Sequence, residues 1–251
     1  MTTPLIEFVN VKKRFGDTRV MEGVNLSIHR GKITVVIGKS GSGKSVLLKH
    51  IIGLEEQDSG NIFYDGRDMA QMNRGARGKF KKRVSYMFQD NALFDAMTVF
   101  ENIALPIVEK SSLSRSQIKE RVLTRMAQLD ISGTEEKYPA QLSGGMRKRV
   151  ALARALITDP EVVLFDEPTT GLDPVRKQGV HDMIKGYQAQ FGFTAVVVSH
   201  EIPEIFDIAQ RVAMLDKGKI ILQDDTERFL KTDQEIVRCF IHGKEENSGK
   251  C

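Results

Sequence analysis

A lysine and a serine close a glycine-rich stretch, Gly38-Lys39-Ser40-Gly41-Ser42-Gly43-Lys44-Ser45. The spacing is G-x-x-x-x-G-K-[ST], that of a loop that binds phosphate. Glycines remove the Cβ atoms that would hold backbone N–H groups away from phosphate oxygens, so the chain can fold around an anion. Lys44 adds a positive charge, and Ser45 offers a hydroxyl to Mg²⁺. A helix starting here aims the positive end of its dipole at the same phosphates. The plainer alternative is a turn that ends in Lys-Ser by chance. The flanks argue against it: Ile33-Thr34-Val35-Val36-Ile37 reads as a buried parallel strand, and residues 46–52 as a helix closed by Gly53.

Further on, Val162-Val163-Leu164-Phe165 runs into Asp166 and Glu167. Adjacent acids at a strand's end suit a division of labour, one holding Mg²⁺ or its water and the other deprotonating the attacking water. Standing alone they would read equally well as a charged strand end facing solvent; beside a phosphate loop the catalytic reading gains. Residues 194–199 form another apolar strand, delivering His200, able to donate to a phosphate oxygen or to serve structure alone. Gln89 follows the strand of residues 84–88, at the kind of edge where ligands gather in α/β sheets. Ser143-Gly144-Gly145 opens a helix, either as a second anion site or as a plain cap. Phe15, just before a Gly-Asp turn, either stacks on a purine face or belongs to the core.

The elements that must hold these residues are legible as patterns. Residues 5–11 alternate as an antiparallel strand, Val24, Leu26 and Ile28 as the next, and Asn61-Ile62-Phe63-Tyr64 as a strand between turns. Residues 91–158 read as a helical insertion into the α/β core. Thr98 to Glu101 and Ser114 to Gln117 are capping boxes there, and Met146, Val150, Ala153 and Ile157 share a face of its last helix. Asp216-Lys217-Gly218 joins two strands as a hairpin. Arg74, Arg77, Lys79, Lys81, Lys82 and Arg83 are either a solvated helix face or a contact for lipid phosphates or nucleic acid. Residues 231–251 read as a polar tail, disordered from Glu245 to Cys251.

The chain has 251 residues, of which 41% are hydrophobic and 28% charged, room for one large α/β domain with an inserted subdomain. No apolar run approaches the ~18 residues of a membrane span, so a membrane role would be borrowed from a partner. The N-terminal residues lack the basic and apolar segments of a signal peptide. Two cysteines in no metal-like or C-x-x-C spacing fit a reducing compartment, and the expected location is cytoplasmic. A net charge of +4 suits an anionic nucleotide or nearby anionic lipid and does not argue nucleic acid.

In this order the motifs resemble the ATP-binding cassette family of transporter ATPases. Gly38 to Ser45 match its Walker A loop, Gln89 its Q-loop, Leu142-Ser143-Gly144-Gly145-Met146 its signature, Val162 to Asp166 its Walker B with Glu167 following, Gly171-Leu172-Asp173 its D-loop and His200 its switch histidine. The likeness spans about residues 5–230. It implies a P-loop NTPase fold with a RecA-like α/β core, an antiparallel β subdomain and an inserted α-helical subdomain. It implies ATP and Mg²⁺ as ligands, with Lys44 on the phosphates and Ser45, Gln89 and Asp166 about the metal. Glu167 would act on the attacking water and His200 on the γ-phosphate, and Phe15 falls where the family stacks adenine. It further implies an ATP-dependent homodimer in which Ser143 and Gly145 of one copy complete the other's site, and an integral membrane permease. The residues from Asn91 to Asn102, with Met146 where Gln is usual, look like the Mla-type ATPases of envelope phospholipid trafficking. Those work with a permease and an MCE-type lipid-binding protein on the cytoplasmic face of the inner membrane. A cassette for another cargo, or a soluble cassette protein without a membrane partner, are the competing readings.

Overall fold

The computed structural model describes residues 3–87, 92–110 and 113–242. Gln89, the end of the expected strand at Phe88, and residues 243–251 lie outside the described residues. In chain order, β1 (Ile6–Phe15) and β2 (Thr18–Ile28) lead into β3 (Ile33–Ile37), the loop, and α1 (Lys44–Ile51). Then come β4 (Ser59–Tyr64), β5 (Arg67–Asp68), α2 (Arg74–Lys81) and β6 (Val84–Met87). Three helices follow, α3 (Val99–Lys110), α4 (Arg115–Gln128) and α5 (Gly144–Leu156). The core resumes with β7 (Val162–Asp166), α6 (Pro174–Phe191), β8 (Thr194–Ser199), β9 (Arg211–Asp216) and β10 (Lys219–Asp225), and closes with α7 (Thr226–Leu230) and α8 (Glu235–Ile241).

The organising layer is a six-stranded sheet of order β10-β9-β3-β8-β7-β6, parallel except for β10. Its central strands are apolar at nearly every position because both faces are covered. Ile33, Val35 and Ile37 face a core built with α3, α5 and α6, while Val36 faces α1 and the second sheet. Val163 and Phe165 of β7, and Ala195 and Val197 of β8, repeat the first set; their alternates repeat the second. Each such Val or Ile contributes about 1.5–3 kcal/mol on burial, which makes this layer the rigid part of the molecule. The second sheet, β2-β1-β4-β5, is antiparallel. Glu161, just before β7, accepts from Tyr64 and pairs with Arg30 and Arg83, tying the two sheets together at the end away from the loop.

Local signals are met where they are chemically explicit. Thr98 and Glu101 satisfy each other's backbone N–H at the start of α3 (2.7 and 3.2 Å), and Ser114 and Gln117 do the same for α4. Lys217 and Gly218, both at positive φ, turn β9 into β10. Two expectations change. The first strand continues through the basic residues to Phe15, because its hairpin with β2 pairs Phe15 with Thr18. Part of the expected polar tail is α8, which buries Val237 and Cys239 against the core. Charged neighbours along residues 231–242 mask that short apolar stripe.

Because β3, β6, β7 and β8 run parallel, their C-terminal ends share one edge. The loop after β3, Asp166 and Glu167 at the end of β7, and His200 after β8 therefore meet there, the position where open α/β sheets take ligands.

Candidate active site

Leaving β3, the backbone passes so close to β9 that a Cβ on Gly38 would sit 2.3 Å from the Leu215 carbonyl oxygen. No other residue fits without moving the sheet. Gly43, at φ +100°, caps α1 in a conformation that L side chains resist, and Lys44 is the first helical residue. Lys39, Ser40 and Gly41 are exposed at the crest of the loop, while Ser42 is half-buried.

The Lys44 side chain is buried, and its Nζ donates to the carbonyl oxygens of Gly38 (2.9 Å) and Lys39 (3.0 Å). Burial holds this ammonium below the usual lysine pKa, with Glu167 and Asp166 opposing the shift. A cation so placed, short of full compensation, is a strong attractor for phosphate oxygens.

Ser45 donates its hydroxyl to Asp166 Oδ1 at 3.0 Å, and Tyr86 on β6 donates to Oδ2 of the same carboxylate at 2.6 Å. Burial and the Asp166 charge push the Tyr86 phenol well above its ordinary pKa, so it remains a donor. Next to Asp166, Glu167 has φ +48°, a left-handed conformation costing about 1–3 kcal/mol for a non-glycine residue. The turn aims its carboxylate inward: Oε1 lies 3.5 Å from Lys44 Nζ, and Oε2 lies 3.0 Å from His200 Nδ1 and accepts from Thr170 at 3.1 Å. Backbone strain at a carboxylate held between a lysine and a histidine marks a functional position more than a packing one.

The structure thus brings Lys44, Glu167 and His200 into one bonded set and Ser45 and Asp166 into a second beside it. It does not join Phe15, Ser143, Gly144, Gly145 or Asp173 to either of them. Ser143 caps α5 by accepting from Met146 N–H (3.2 Å), and Gly144 and Gly145 are exposed, with open space above Gly145 and the Arg147 guanidinium 4.0 Å from where a Cβ on Gly144 would sit. Asp173 is exposed and caps α6 through Arg176 N–H (3.0 Å). No hydrogen bond or ion pair among the described residues links either helix start to the phosphate loop. Phe15 is 44% exposed, with Lys13 Nζ 5.1 Å from its ring centre, so the core reading fails and a face is left open for stacking. Sequence reasoning missed Tyr86, whose bond to Asp166 crosses 80 residues of chain, and Thr170, whose bond to Glu167 depends on the left-handed turn that Glu167 makes.

Two oxygen groups, Ser45 and Asp166, stand ready for a hard cation, and no cluster of three acidic, histidine or cysteine ligands exists among the described residues. That donor set fits Mg²⁺, which keeps waters and binds substrate phosphates instead of filling a protein cage.

Fold and site together define a P-loop nucleotide-hydrolysing module. The ABC transporter family model matches residues 21–170. The chain is 37% identical over 239 residues to the "Probable ribonucleotide transport ATP-binding protein mkl" of Mycobacterium tuberculosis, covering 95% of this chain and 67% of that one. It is 35% identical over 246 residues to the intermembrane phospholipid transport ATP-binding protein MlaF of Haemophilus influenzae, covering 98% and 93%. It is also 35% identical over 242 residues to the methionine import protein MetN of Burkholderia thailandensis, covering 94% and 70%. Among solved structures, cbiO1 of Clostridium perfringens, part of an ABC transporter complex, matches with a TM-score of 0.84 at 28% identity over 94% of both chains. A dimeric ATP-binding cassette bound to ADP and Pi matches with 0.75, also at 28% identity, over 88% of this chain and 98% of that one. This chain belongs to the ATP-binding cassette transporter family, and it is the ATP-binding, ATP-hydrolysing subunit of such a system.

Proposed function

We propose that this chain powers phospholipid transport between the inner and outer membranes, working as an ATP-dependent pair beneath an integral permease, with an MCE-type lipid-binding protein as a further partner. Its place is the cytoplasmic face of the inner membrane. The ATPase domain covers residues 1–230 with a helical insertion at about 91–158, and the remainder is a C-terminal extension. The single observation that carries the pairing is that the Ser143-Gly144-Gly145 helix start is exposed, rich in free N–H donors and unconnected to its own phosphate loop. A second copy supplies the phosphate it lacks. The dimeric ADP- and Pi-bound relative supports the same arrangement.

Within each site, the loop from Gly38 to Ser45 and the Lys44 ammonium hold the ATP phosphates, and Phe15 takes the adenine face. Ser45, Asp166 and Gln89 hold Mg²⁺, which when bound neutralises charge on the phosphate oxygens. Glu167 orients the attacking water and accepts its proton, His200 donates to the γ-phosphate, and Asp173 lies at the seam between copies. Tyr86 and Ser45, bonded to opposite oxygens of Asp166, fix how that carboxylate points. Replacing Tyr86 by Phe is expected to weaken Mn²⁺ binding to the nucleotide-loaded protein about 10-fold, as loss of a bond behind a metal ligand does. Paramagnetic resonance reads this directly, with nucleotide binding in EDTA as the control. Unaltered Mn²⁺ affinity would leave the Tyr86 bond without a metal-site role.

Phospholipid is favoured as cargo because the MlaF match covers nearly all of both chains, and because of Met146 in the signature. The names of relatives of similar identity mention ribonucleotide and methionine, so the decisive test is physical. Detergent extraction of membranes containing the tagged protein is expected to recover an integral permease together with glycerophospholipid. Full recovery in the soluble fraction with normal ATPase activity defeats the transport reading. Hydrolysis stimulated by methionine or a ribonucleotide, and not by lipid, replaces the cargo.

A further inference from the structure

Lys148 is a buried cation that none of the roles above uses. It lies in α5, five residues beyond Ser143, and is only 9% exposed. An ammonium withdrawn from water must find acceptors, and Lys148 Nζ donates to the Pro168 carbonyl oxygen at 2.8 Å, across 20 residues of chain. Pro168 directly follows Glu167.

The segment it grips is the strained one. Glu167 holds φ +48°, and such a conformation persists only where its surroundings fix it from several sides. On one side, Glu167 N–H donates to Val198 O of β8 at 3.0 Å. On another, Thr170 N–H donates to Glu167 O at a long 3.3 Å. Proline has no N–H of its own, so residue Pro168 offers the rest of the fold only its carbonyl as a hydrogen-bonding group. That hold comes from α5, the helix whose first turn presents Ser143, Gly144 and Gly145. A charged donor makes it stronger and more directional than a neutral one.

We propose that Lys148 is a positioning residue through which α5 sets the aim of Glu167. The inference rests on the reading of Glu167 as the base and of the α5 start as an anion site. It adds a route between them: a phosphate seated at the start of α5 loads a rigid helix, and Lys148 passes that load to the turn that points the same chain's carboxylate. Each nucleotide would thereby help align the base belonging to the other.

Lys148→Met keeps all but the last atom of the side chain's length and removes the donor, and a buried methionine in place of a lysine carries no uncompensated charge. Single-turnover hydrolysis by the full chain is expected to fall about 10- to 100-fold, the cost of a misplaced reacting group, with ATP affinity within twofold. Lys148→Gln, a shorter neutral donor, should restore most of the rate. In a Glu167→Gln background, Lys148→Met should cost nothing further, since there is no base left to aim. A loss undiminished in that background, an unchanged rate, or a Gln variant no better than Met overturns the proposal. Should Lys148→Met melt early, the Gln and Arg variants decide by the same double-mutant comparison. If Glu167→Gln alone costs nothing, the base assignment fails instead, a separate result.

Discussion

Glu167→Gln is expected to slow single-turnover hydrolysis about 10²–10⁴-fold while ATP affinity holds, the range for loss of a general base. The geometry makes the substitution clean. The amide keeps an oxygen for Thr170 or for His200, so the strained turn retains its local bonds, while the negative charge and the proton-accepting lone pairs are lost. Lys44 loses a carboxylate 3.5 Å away that competes with phosphate for its ammonium, so binding has no reason to weaken. Rapid quench of radiolabelled ATP measures the chemical step, and equilibrium binding of a fluorescent analogue measures affinity. Parent-like single-turnover hydrolysis would move the base to another residue, and His200 would be the first candidate because it touches the same carboxylate oxygen.

What the sequence showed of this site, and what it hid, divides along a physical line. Gly38 through Ser45 was legible because a close approach to Leu215 and a helix start at Lys44 each demand particular residue types at fixed offsets. The β7 and β8 strands were legible because burial on both faces leaves no polar alternation. The φ of Glu167, the bond from Tyr86 to Asp166 and the grip of Lys148 on Pro168 were not, since each depends on elements brought together only by folding. Phe15 shows the intermediate case. An aromatic near a turn is ambiguous until the hairpin register carries it out of the core. The α8 helix was hidden for a different reason, since two turns whose buried positions are Val237 and Cys239 are too short for periodicity to stand out from charged neighbours.

The pairing of two copies has its sharpest test at Gly145. This residue is the second of α5, exposed, and a Cβ added there meets nothing within 4 Å, so a side chain enters without strain. An aspartate in the first turn of a helix interacts favourably with the macrodipole by about 0.3–1 kcal/mol, and any non-proline residue there is a better helix former than glycine. Gly145→Asp should therefore melt at the parental temperature or slightly above it. It also sets a fixed negative charge where the proposed second nucleotide must bring its phosphate, replacing attraction with repulsion at a few ångströms. If each chain were catalytically complete, nothing would follow, because no hydrogen bond or ion pair among the described residues connects this helix start to its own loop. If the site is completed across the pair, hydrolysis should fall by at least about 10²-fold, comparable to losing a donor that stabilises the transition state. ATP binding to the isolated chain should persist, and the dimer that ATP induces in the Glu167→Gln background should be absent by light scattering. A variant that still dimerises and hydrolyses normally would show that Ser143-Gly144-Gly145 is a cap and no more. The open helix start would then need another anionic partner.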